Sequence, residues 1–366
     1  MPKMQAEEVR RTADLLVEQI HRLSERPLRF MEVCGTHTVA IFRAGIRQIL
    51  PPEIELVSGP GCPVCVTPNQ YLDTAIAYSR QQDVIIATFG DMLRVPGSSS
   101  NLQREKAEGA DVRIVYSPLD AVAMAQAHPD RKVIFLAVGF ETTAPTAAAA
   151  VLSAQKAGLK NFFVLSAHKL VPPALAALLQ APETKVDGFL LPGHVSAIIG
   201  IDAPYRFLTE QFHTPAVVAG FEPLEILRSV FMLLRQVQEG VPRLENAYGK
   251  VVRTDGNPVA RKVLYSVYET AAAEWRGIGS LPGSGLAVKE SYQAFDAVVQ
   301  LPVTVEKTRE PVGCRCGEVL RGVTTPANCP LFGKLCTPDH PVGSCMVSVE
   351  GSCAAWYKYG SGRWQL

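Results

Sequence analysis

The sequence predicts an α/β fold with two small doubly wound parallel-sheet domains that face a cleft, followed by an α-helical and loop-rich C-terminal domain. Between residues 28 and 235, short β-branched runs recur, and each ends in a Gly, Pro or Thr cluster before a helix-like stretch. Several runs are apolar throughout, which is typical of parallel strands that are covered on both faces. After about residue 236 the composition changes, and six of the nine cysteines lie in the last 53 residues.

The predicted elements begin with an amphipathic helix over the first 24 residues, because apolar side chains such as Val9, Leu16 and Ile20 share one face. The β-then-helix rhythm that follows indicates doubly wound sheets. Eight strands are predicted, at residues 29–33, 54–58, 84–88, 113–116, 132–138, 161–166, 188–191 and 216–219.

The strands are expected to form two groups of four, joined at residues 125–130, although a single eight-stranded sheet is the alternative. We therefore predict α/β domains at residues 28–130 and 131–235 and a third domain at residues 236–366, against which the N-terminal helix 1–27 is a candidate to pack. Charged helical stretches at 245–275 lead into a Gly/Pro-rich segment at 277–285. That segment is predicted to be a flexible connection, because it lacks the GK[ST] of a P-loop and follows no evident strand.

Charge and hydropathy exclude several classes of partner. Lys plus Arg total 36 and Asp plus Glu total 35, so there is no net field to hold a nucleic-acid backbone, and no basic run occurs. The longest apolar stretches, 133–138 and 147–152, are far shorter than the roughly 20 residues that span a bilayer. The first residues carry acids among bases and no apolar core, so we expect no export signal, no membrane anchor and no nucleic-acid partner.

The nine cysteines are segregated along the chain. In a reducing compartment, thiols serve metal binding or redox chemistry rather than structural disulfides. None lies between residues 66 and 313. This distribution predicts two separate thiol sites, one formed by Cys34, Cys62 and Cys65, and one formed by Cys314, Cys316, Cys329, Cys336, Cys345 and Cys353.

Polar residues follow nearly every predicted strand, which is where open α/β sheets bind ligands. The loops are residues 34–38, 59–65 and 89–91 in the first group of strands, and 139–143, 166–169, 192–196 and 220–223 in the second. If the two sheets face each other, these loops line one cleft. The candidate cleft-lining residues are Thr36, Glu141, Thr142, His168, His194 and Glu222.

Cys34 lies at a predicted strand-to-helix turn in the motif Cys-Gly-Thr-His-Thr. Helix-terminal N–H groups and the nearby His37 are both expected to favour the thiolate. Such a pair suits a transition metal such as iron, or a Cys/His nucleophilic pair. The alternative is a buried structural cysteine beside a hydrogen-bonding histidine.

Cys62 and Cys65 form a Cys-x-x-Cys motif in a βα setting, the arrangement of dithiol/disulfide redox sites. We expect Pro63 in this short loop to strain and expose a bridge between them. Half of a zinc site is the alternative, but Cys34 is the only further cysteine nearby in sequence. The tail offers six thiols for four ligand positions, and it contains no Cys-x-x-Cys pair, so an iron–sulfur cluster is favoured over a Cys₄ zinc site.

Taken together, the motifs at 34–38, 59–65, 139–143 and 192–196 and the tail motif Cys-Pro-Leu-Phe-Gly at 329–333 resemble the HypD family of hydrogenase maturation proteins. The resemblance runs from about residue 28 to the end of the chain. It implies a cytoplasmic assembly scaffold for the Fe(CN)₂CO unit of [NiFe]-hydrogenase, rather than a turnover enzyme. It also implies a complex with HypC and transient cyanide delivery from HypE.

The resemblance further implies a [4Fe-4S] cluster in the tail, which makes the third domain an iron–sulfur domain. The family spacing C-x₁₂-C-x₆-C-x₁₆-C matches Cys316, Cys329, Cys336 and Cys353, and leaves two tail cysteines as extras. Cys34, helped by His37, is then expected to hold the iron together with a cysteine of the partner. Cys62 and Cys65 are expected to cycle between dithiol and disulfide with electrons from the cluster.

Two other functions remain open on sequence alone. An iron–sulfur thiol–disulfide reductase would use the Cys-x-x-Cys pair and the cluster, but it has no use for Cys34 beside a histidine. A structural zinc protein with an α/β binding module would be colourless, whereas a cluster protein is brown.

Overall fold

Nine parallel strands form two sheets. The chain forms two strands of the first sheet, then all four strands of the second sheet, and then the remaining three strands of the first. The computed structural model describes residues 2–360, with side chains from residue 7 onward. The first sheet has the order β2-β1-β7-β8-β9, with strands β1 Leu28–Glu32, β2 Ile54–Ser58, β7 Gly188–Pro192, β8 Ala216–Ala219 and β9 Leu244–Asn246. The second has the order β4-β3-β5-β6, with strands β3 Val84–Thr88, β4 Val112–Ile114, β5 Lys132–Ala137 and β6 Phe162–Ser166.

The α/β class and the two parallel sheets are confirmed, but the predicted grouping of four consecutive strands per sheet is wrong. β3 pairs with β5 from Val84↔Lys132 to Ala87↔Phe135, so the supposed joint at 125–130 lies inside the second sheet. β1 pairs with both β2 and β7, which lie far apart in sequence. A hydrophobic core between the sheets takes side chains from both, including Met31 and Phe189 from the first and Ile134 and Leu165 from the second.

Helices cover the faces and ends of these sheets. Within residues 2–360 they are α1 Pro2–Leu23, α2 Gly35–Arg43, α3 Ile46–Ile49, α4 Pro63–Val66, α5 Asn69–Ser79, α6 Leu102–Ala107, α7 Pro118–Ala127, α8 Ala144–Lys156, α9 Val171–Gln180, α10 Gly193–Ile199, α11 Asp202–Glu210, α12 Pro223–Glu239, α13 Pro258–Val267, α14 Ala297–Gln300, α15 Cys316–Leu320 and α16 Ser352–Tyr359. Short 3₁₀ turns lie at Gly90–Arg94, Glu290–Phe295, Pro326–Asn328 and Ser344–Met346. None of the helices in this described range is long and apolar enough to cross a membrane.

The N-terminal helix packs on the first sheet rather than on the third unit. Ile20 of α1 is fully buried in a cluster with Val230 and Leu234 of α12. Gln238 of α12 also donates from Nε2 to the carbonyl of Leu23 at 2.7 Å. The helix therefore forms an outer layer on the sheet that carries Cys34.

The segment from 244 to 288 also departs from the prediction, because it contains strands. β9 is an edge strand of the first sheet. The antiparallel strands β10 Tyr268–Trp275 and β11 Gly279–Val288 form a hairpin with a bulge between Ala271 and Ala273. The supposed flexible connection is therefore ordered, and buried Ser284 in it accepts a 2.8 Å hydrogen bond from Trp275 Nε1.

The last sixty described residues are rich in loops, and they dock on the first sheet's helices. Trp356 of α16 contacts Phe42 of α2 edge-on, with ring centroids 5.4 Å apart, and the Arg47 guanidinium lies over both rings. At the other end of the tail, Ser344 Oγ donates to the carbonyl of Cys65 at 3.0 Å. This docking brings the tail cysteines to the Cys-x-x-Cys helix.

Candidate functional site

Four of the predicted loops meet at the carboxyl edge of the first sheet. The order β2-β1-β7-β8 places the loop after β1 beside those after β2 and β7, with the loop after β8 next in line. These loops carry Cys34, the Cys62/Cys65 pair, His194 and Glu222. The motifs at 139–143 and 166–169 follow β5 and β6 of the second sheet instead.

The first loop is fixed by close backbone packing. Cys34 is the N-cap of α2, and the Gly35 N–H donates to the carbonyl of Gly61 at 3.1 Å. A Cβ at Gly61 would approach the Cys34 nitrogen to 2.2 Å, so only glycine fits there. The two glycines thus lock the Cys34 turn against the loop that leads into Cys62.

Burial determines the acidity of the Cys34 thiol. Backbone N–H groups of Thr36 and His37 hydrogen-bond to it, as the helix-start prediction requires, but desolvation outweighs them and the charge of Glu350 adds to its effect. The pKa of the thiol is therefore raised to about 12. The expectation that this turn favours the thiolate is therefore wrong for the protein without a bound cation. A cation that binds Cys34 would have to displace the thiol proton.

The imidazole of His37 is not available as a free base. Its Nε2 lies 2.9 Å from the carbonyl of Gly220, and its ring stacks on Phe221 with centroids 4.6 Å apart. Burial lowers its pKa to about 4, so the imidazole is neutral. His194 stacks on the same Phe221 ring at 3.9 Å, which joins the loops after β1, β7 and β8 through one aromatic side chain.

Glu32 is a site residue that the sequence analysis missed. It is fully buried at the end of β1, accepts a 2.5 Å hydrogen bond from Thr38 Oγ1 and lies 3.3 Å from the Cys34 nitrogen. Burial raises its pKa to about 7, against the effects of its hydrogen bonds and the charge of Arg47. An acid that ends a buried strand directly before a cysteine motif was the available signal.

Beside Cys34 lies a cleft of about 580 Å³, lined by α2, the loop after β8 and the tail rather than by the loops of two facing sheets. Thr36, Glu222 and the tail residue Glu350 all line it, and Thr36 Oγ1 donates to Glu350 Oε1 at 2.8 Å. Cys34 itself is only partly buried. The cleft therefore lies next to the turn that carries Cys34, with the Glu350 carboxylate at its edge.

Cys62 and Cys65 lie together as predicted, but they are not exposed. Cys62 caps α4, accepts from the Cys65 nitrogen at 3.3 Å and has its Sγ 2.6 Å from Cys65 Sγ. Their exposed fractions are 3% and 0%. A protein substrate cannot contact a pair that is buried to this degree.

The two predicted thiol sites are joined into one. Cys316 Sγ lies 2.7 Å from Cys345 Sγ, and Cys345 also hydrogen-bonds to Cys65 and Cys353. Cys345, for which the sequence suggested no role, is thus the link between the tail and the Cys-x-x-Cys pair. All six tail cysteines line one narrow cavity with apolar walls that include Leu331 and Met346.

The chemistry of this cavity fits a thiolate-bound metal group, since cysteine sulfur is the ligand that iron–sulfur clusters require. Within the described side chains, however, no three His, Cys, Asp or Glu residues already surround a single ion position. The thiols instead contact one another. Cys329 is the most open of the four predicted ligands, being partly exposed, while Cys316, Cys336 and Cys353 are buried.

The remaining predicted residues lie away from the Cys34 cleft. Glu141 is buried and accepts at Oε1 from the Val171 nitrogen at 2.9 Å, with Thr142 half-buried beside it. The pKa of Tyr205 is raised by burial and then by the charges of Glu141 and Cys34. Tyr205 therefore lies between Glu141 and the Cys34 turn. His168 lines a different cavity, described below.

Fold and site define a thiol-rich α/β protein in which Cys34 lies beside a cleft, and a series of contacting thiols joins the Cys62/Cys65 pair to the tail through Cys345. The family model described as "HypD: Hydrogenase formation hypA family" matches residues 11–360. The chain therefore belongs to the HypD family, and its activity class is that of a hydrogenase maturation factor.

Relatives of this family come from both bacteria and an archaeon. The hydrogenase maturation factor HypD of Rhodobacter capsulatus is 46% identical over 353 residues, covering 95% of this chain and 93% of the relative. The HypD of Escherichia coli K12 is 46% identical over 357 residues, covering 96% and 95%. A putative hydrogenase expression/formation protein of Methanocaldococcus jannaschii is 45% identical over 345 residues, covering 94% and 96%.

Proposed function

We propose that this chain is the scaffold on which the Fe(CN)₂CO unit of [NiFe]-hydrogenase is assembled, in complex with HypC and with cyanide delivered by HypE. The observation that carries the proposal is Cys34, a half-buried cysteine two residues before Thr36, which lines a cleft of about 580 Å³. An iron that carries CN and CO needs soft, electron-rich ligands, and thiolate is such a ligand.

The residues around Cys34 explain why a partner protein is needed to supply a second iron ligand. His37 contacts the Gly220 carbonyl through Nε2, and Thr36 is bonded to Glu350. No cysteine is among the described residues that line the cleft beside Cys34. A second thiolate for the iron is therefore expected to come from HypC, seated in the cleft.

Iron binding at Cys34 requires loss of the thiol proton. Because the pKa of the free thiol is raised to about 12, the cation must supply the free energy for that loss. The N–H groups of Thr36 and His37 then stabilise the thiolate, and Glu350 at the cleft edge attracts the cation. Glu32 holds the Cys34 backbone in place.

The Cys62/Cys65 pair is proposed to supply reducing equivalents. Formation of one disulfide from the two thiols releases two electrons and two protons, and the reverse step consumes them. Contact from Cys65 through Cys345 to Cys316 offers a path of thiols between this pair and the tail. When bound in the tail, a [4Fe-4S] cluster would supply electrons one at a time.

Two ligand sets are compatible with the tail cavity. The spacing of the family assigns Cys316, Cys329, Cys336 and Cys353. The 2.7 Å contact between Cys316 and Cys345 favours a second set, in which Cys314 replaces Cys316 and the buried Cys316/Cys345 pair belongs to the thiol path. Iron content of anaerobic Cys314→Ser and Cys316→Ser proteins distinguishes them, since only loss of a ligand removes the cluster.

The alternative of a reductase for protein disulfides is disfavoured by the burial of Cys62 and Cys65. The direct test of the scaffold proposal is iron and acid-labile sulfide analysis of anaerobic protein, with and without HypC from cells that make both. We expect about four irons and four sulfides per chain from the cluster alone, and one further iron without sulfide in the complex. A zinc-containing colourless protein, or no additional iron in the complex, would contradict the proposal.

A further inference from the structure

A second cavity lies at the carboxyl end of β6, and no cysteine is among the described residues that line it. It measures about 610 Å³ and is enclosed by α5, the 165–169 loop, the β10–β11 hairpin and the 296–305 segment. Small-molecule sites typically measure about 300–1,000 Å³, and the carboxyl ends of parallel strands are their usual place in α/β folds. Nothing in the proposed scaffold function uses this cavity.

Small side chains keep this cavity open. Ala167, Ala271, Ala272, Ala273 and Ala287 all line it, and they leave room where larger residues would fill the space. The apolar side chains of Leu165, Leu286 and Val303 form further walls. The surface is thus suited to the apolar body of a small organic molecule.

One lysine in the wall of this cavity has no side-chain partner in the described part of the chain. Lys169 is only 4% exposed and lines the cavity, and its backbone is fixed by a 3.0 Å hydrogen bond from its nitrogen to the Gly139 carbonyl and by a bridge to Gly285. Among the described residues, its Nζ has no hydrogen-bond or ion-pair partner; the charge of Glu274 acts on it only from a distance. Lysine is rarely buried without a paired charge, because desolvation of the amine is costly.

We propose that this cavity binds a small monocarboxylate, with the carboxylate on Lys169 Nζ and a short alkyl or aryl body against the alanines. A bound carboxylate supplies the missing partner of the amine. Burial lowers the pKa of Lys169 to about 8, so the amine is still mostly protonated at neutral pH and can form the ion pair.

A single negative charge is favoured over a phosphate dianion. The other charged groups at the cavity are the carboxylates of Glu274 and Asp296, which repel a dianion. His168 cannot add a second positive charge, because burial and the charge of Lys169 lower its pKa to about 3. The acidic residues therefore restrict the site to ligands of low charge.

The test is binding of straight-chain monocarboxylates from acetate to hexanoate to the purified full-length chain, measured by saturation-transfer NMR. We expect butyrate or a near neighbour to bind best, and Lys169→Met to weaken it about 10- to 100-fold, the usual effect of losing a hydrogen bond to a charged group. Lys160→Met, which removes an exposed lysine, should leave binding unchanged.

A second measurement uses the wild-type protein, so that a folding defect in Lys169→Met does not affect its result. In the wild-type protein, trace acetylation should modify Lys169, and millimolar butyrate should slow that modification without slowing modification of Lys160. The proposal is overturned if Lys169→Met binds butyrate as wild type does, if butyrate leaves Lys169 acetylation unchanged, if methylphosphonate binds better than every carboxylate, or if no carboxylate binds at millimolar concentration.

Discussion

At the scale of the residue, the acidity of Cys34 depends on what surrounds the thiol more than on the helix start that it caps. The same helix-terminal N–H groups that the motif predicts are present, yet burial and Glu350 raise the pKa of the thiol to about 12. Without a cation, Cys34 is therefore a protonated, poorly reactive cysteine.

Glu350→Gln should speed alkylation of Cys34 by iodoacetamide in iron-free protein at pH 8. Loss of the negative charge lowers the pKa of the thiol, and half to one pKa unit corresponds to about a three- to tenfold faster rate. The glutamine keeps an oxygen for the Thr36 hydroxyl, so the loop should stay in place. Mass spectrometry of the Cys34 peptide gives the rate, with Glu222→Gln in the same cleft as the control. Equal rates in wild type and Glu350→Gln would show that Glu350 does not control the thiol.

Glu141 should make the protein less stable as the pH rises. Burial raises its pKa from 4.5 to about 7, so the neutral acid is favoured in the folded state, and stability is lost as pH rises from about 5 through 7. A shift of this size corresponds to at most about 3 kcal/mol. Urea unfolding of Glu141→Gln should therefore be less pH-dependent than that of wild type between pH 5 and 8, while exposed Glu269→Gln should behave as wild type. If Glu141→Gln keeps the wild-type slope, Glu141 is ionised in the fold.

Part of the site could be predicted from the sequence at this scale, and part could not. Cys34, Cys62 and Cys65 stand out because each motif pairs a thiol with glycine, proline or histidine after a strand. Glu32 gave only the weak signal of an acid at the end of a buried strand, and Phe221 gave none, since a phenylalanine in a loop is common. Their roles come from three-dimensional neighbours such as Thr38 and His37.

At the scale of the element, the turn after β1 depends on the loop after β2. Gly61 should not tolerate a side chain, because its Cβ would meet backbone atoms of Val33 and Cys34, which cannot move independently of β1. Gly61→Ala is expected to lower the free energy of unfolding by at least about 2 kcal/mol and to impair the iron binding that we propose at Cys34.

Gly90→Ala is the matched control for that substitution. Gly90 also follows a parallel strand of the chain, but the nearest atom to a Cβ there is 3.9 Å away. Denaturation monitored by tryptophan fluorescence compares the two proteins. Equal stability of Gly61→Ala and Gly90→Ala would show that the turn adapts and is not set by this contact.

The strands of the two sheets were predictable because they are short, apolar and bounded by turn residues. The hairpin was not, because Ala271, Ala272 and Ala273 suggest a helix, and the glycines of β11 suggest a flexible segment. In the structure these residues are held by pairing between strands and by the bond from Trp275 to Ser284. Such contacts are not encoded in local propensity.

At the scale of the whole molecule, the strand grouping could not be read from the order of the chain. β1 and β2 are completed by β7 and β8 only after the second sheet has been made. Sequential neighbours usually pair, and most do so here, but β2 does not pair with β3 nor β6 with β7, because the second sheet is inserted between two halves of the first. The same insertion and the docked tail bring distant cysteines into contact.

The thiol chain should be detectable by oxidation. In Cys62→Ser, mild oxidation with diamide should produce a disulfide between Cys65 and Cys345, because these thiols are hydrogen-bond neighbours and the usual partner of Cys65 is gone. The two thiols lose two protons and two electrons, which diamide accepts. Peptide mapping without reductant should find this bridge, and Cys62→Ser with Cys345→Ser is the control. Absence of a Cys65–Cys345 peptide would show that the tail and the pair do not communicate through thiols.

The central claim is that Cys34 holds the iron of the Fe(CN)₂CO unit, and infrared spectroscopy of the complex with HypC tests it most directly. The wild-type complex should show bands of metal-bound CN and CO, and Cys34→Ala should abolish them while the brown cluster chromophore remains, since distant sites respond independently to substitution. His37→Ala should weaken or shift the bands, because the imidazole ties the Cys34 turn to the loop after β8 through the Gly220 carbonyl and Phe221, and such supporting residues typically contribute about 10–100-fold to affinity or activity. Bands at full strength in Cys34→Ala would contradict the account, because the iron would then be held elsewhere.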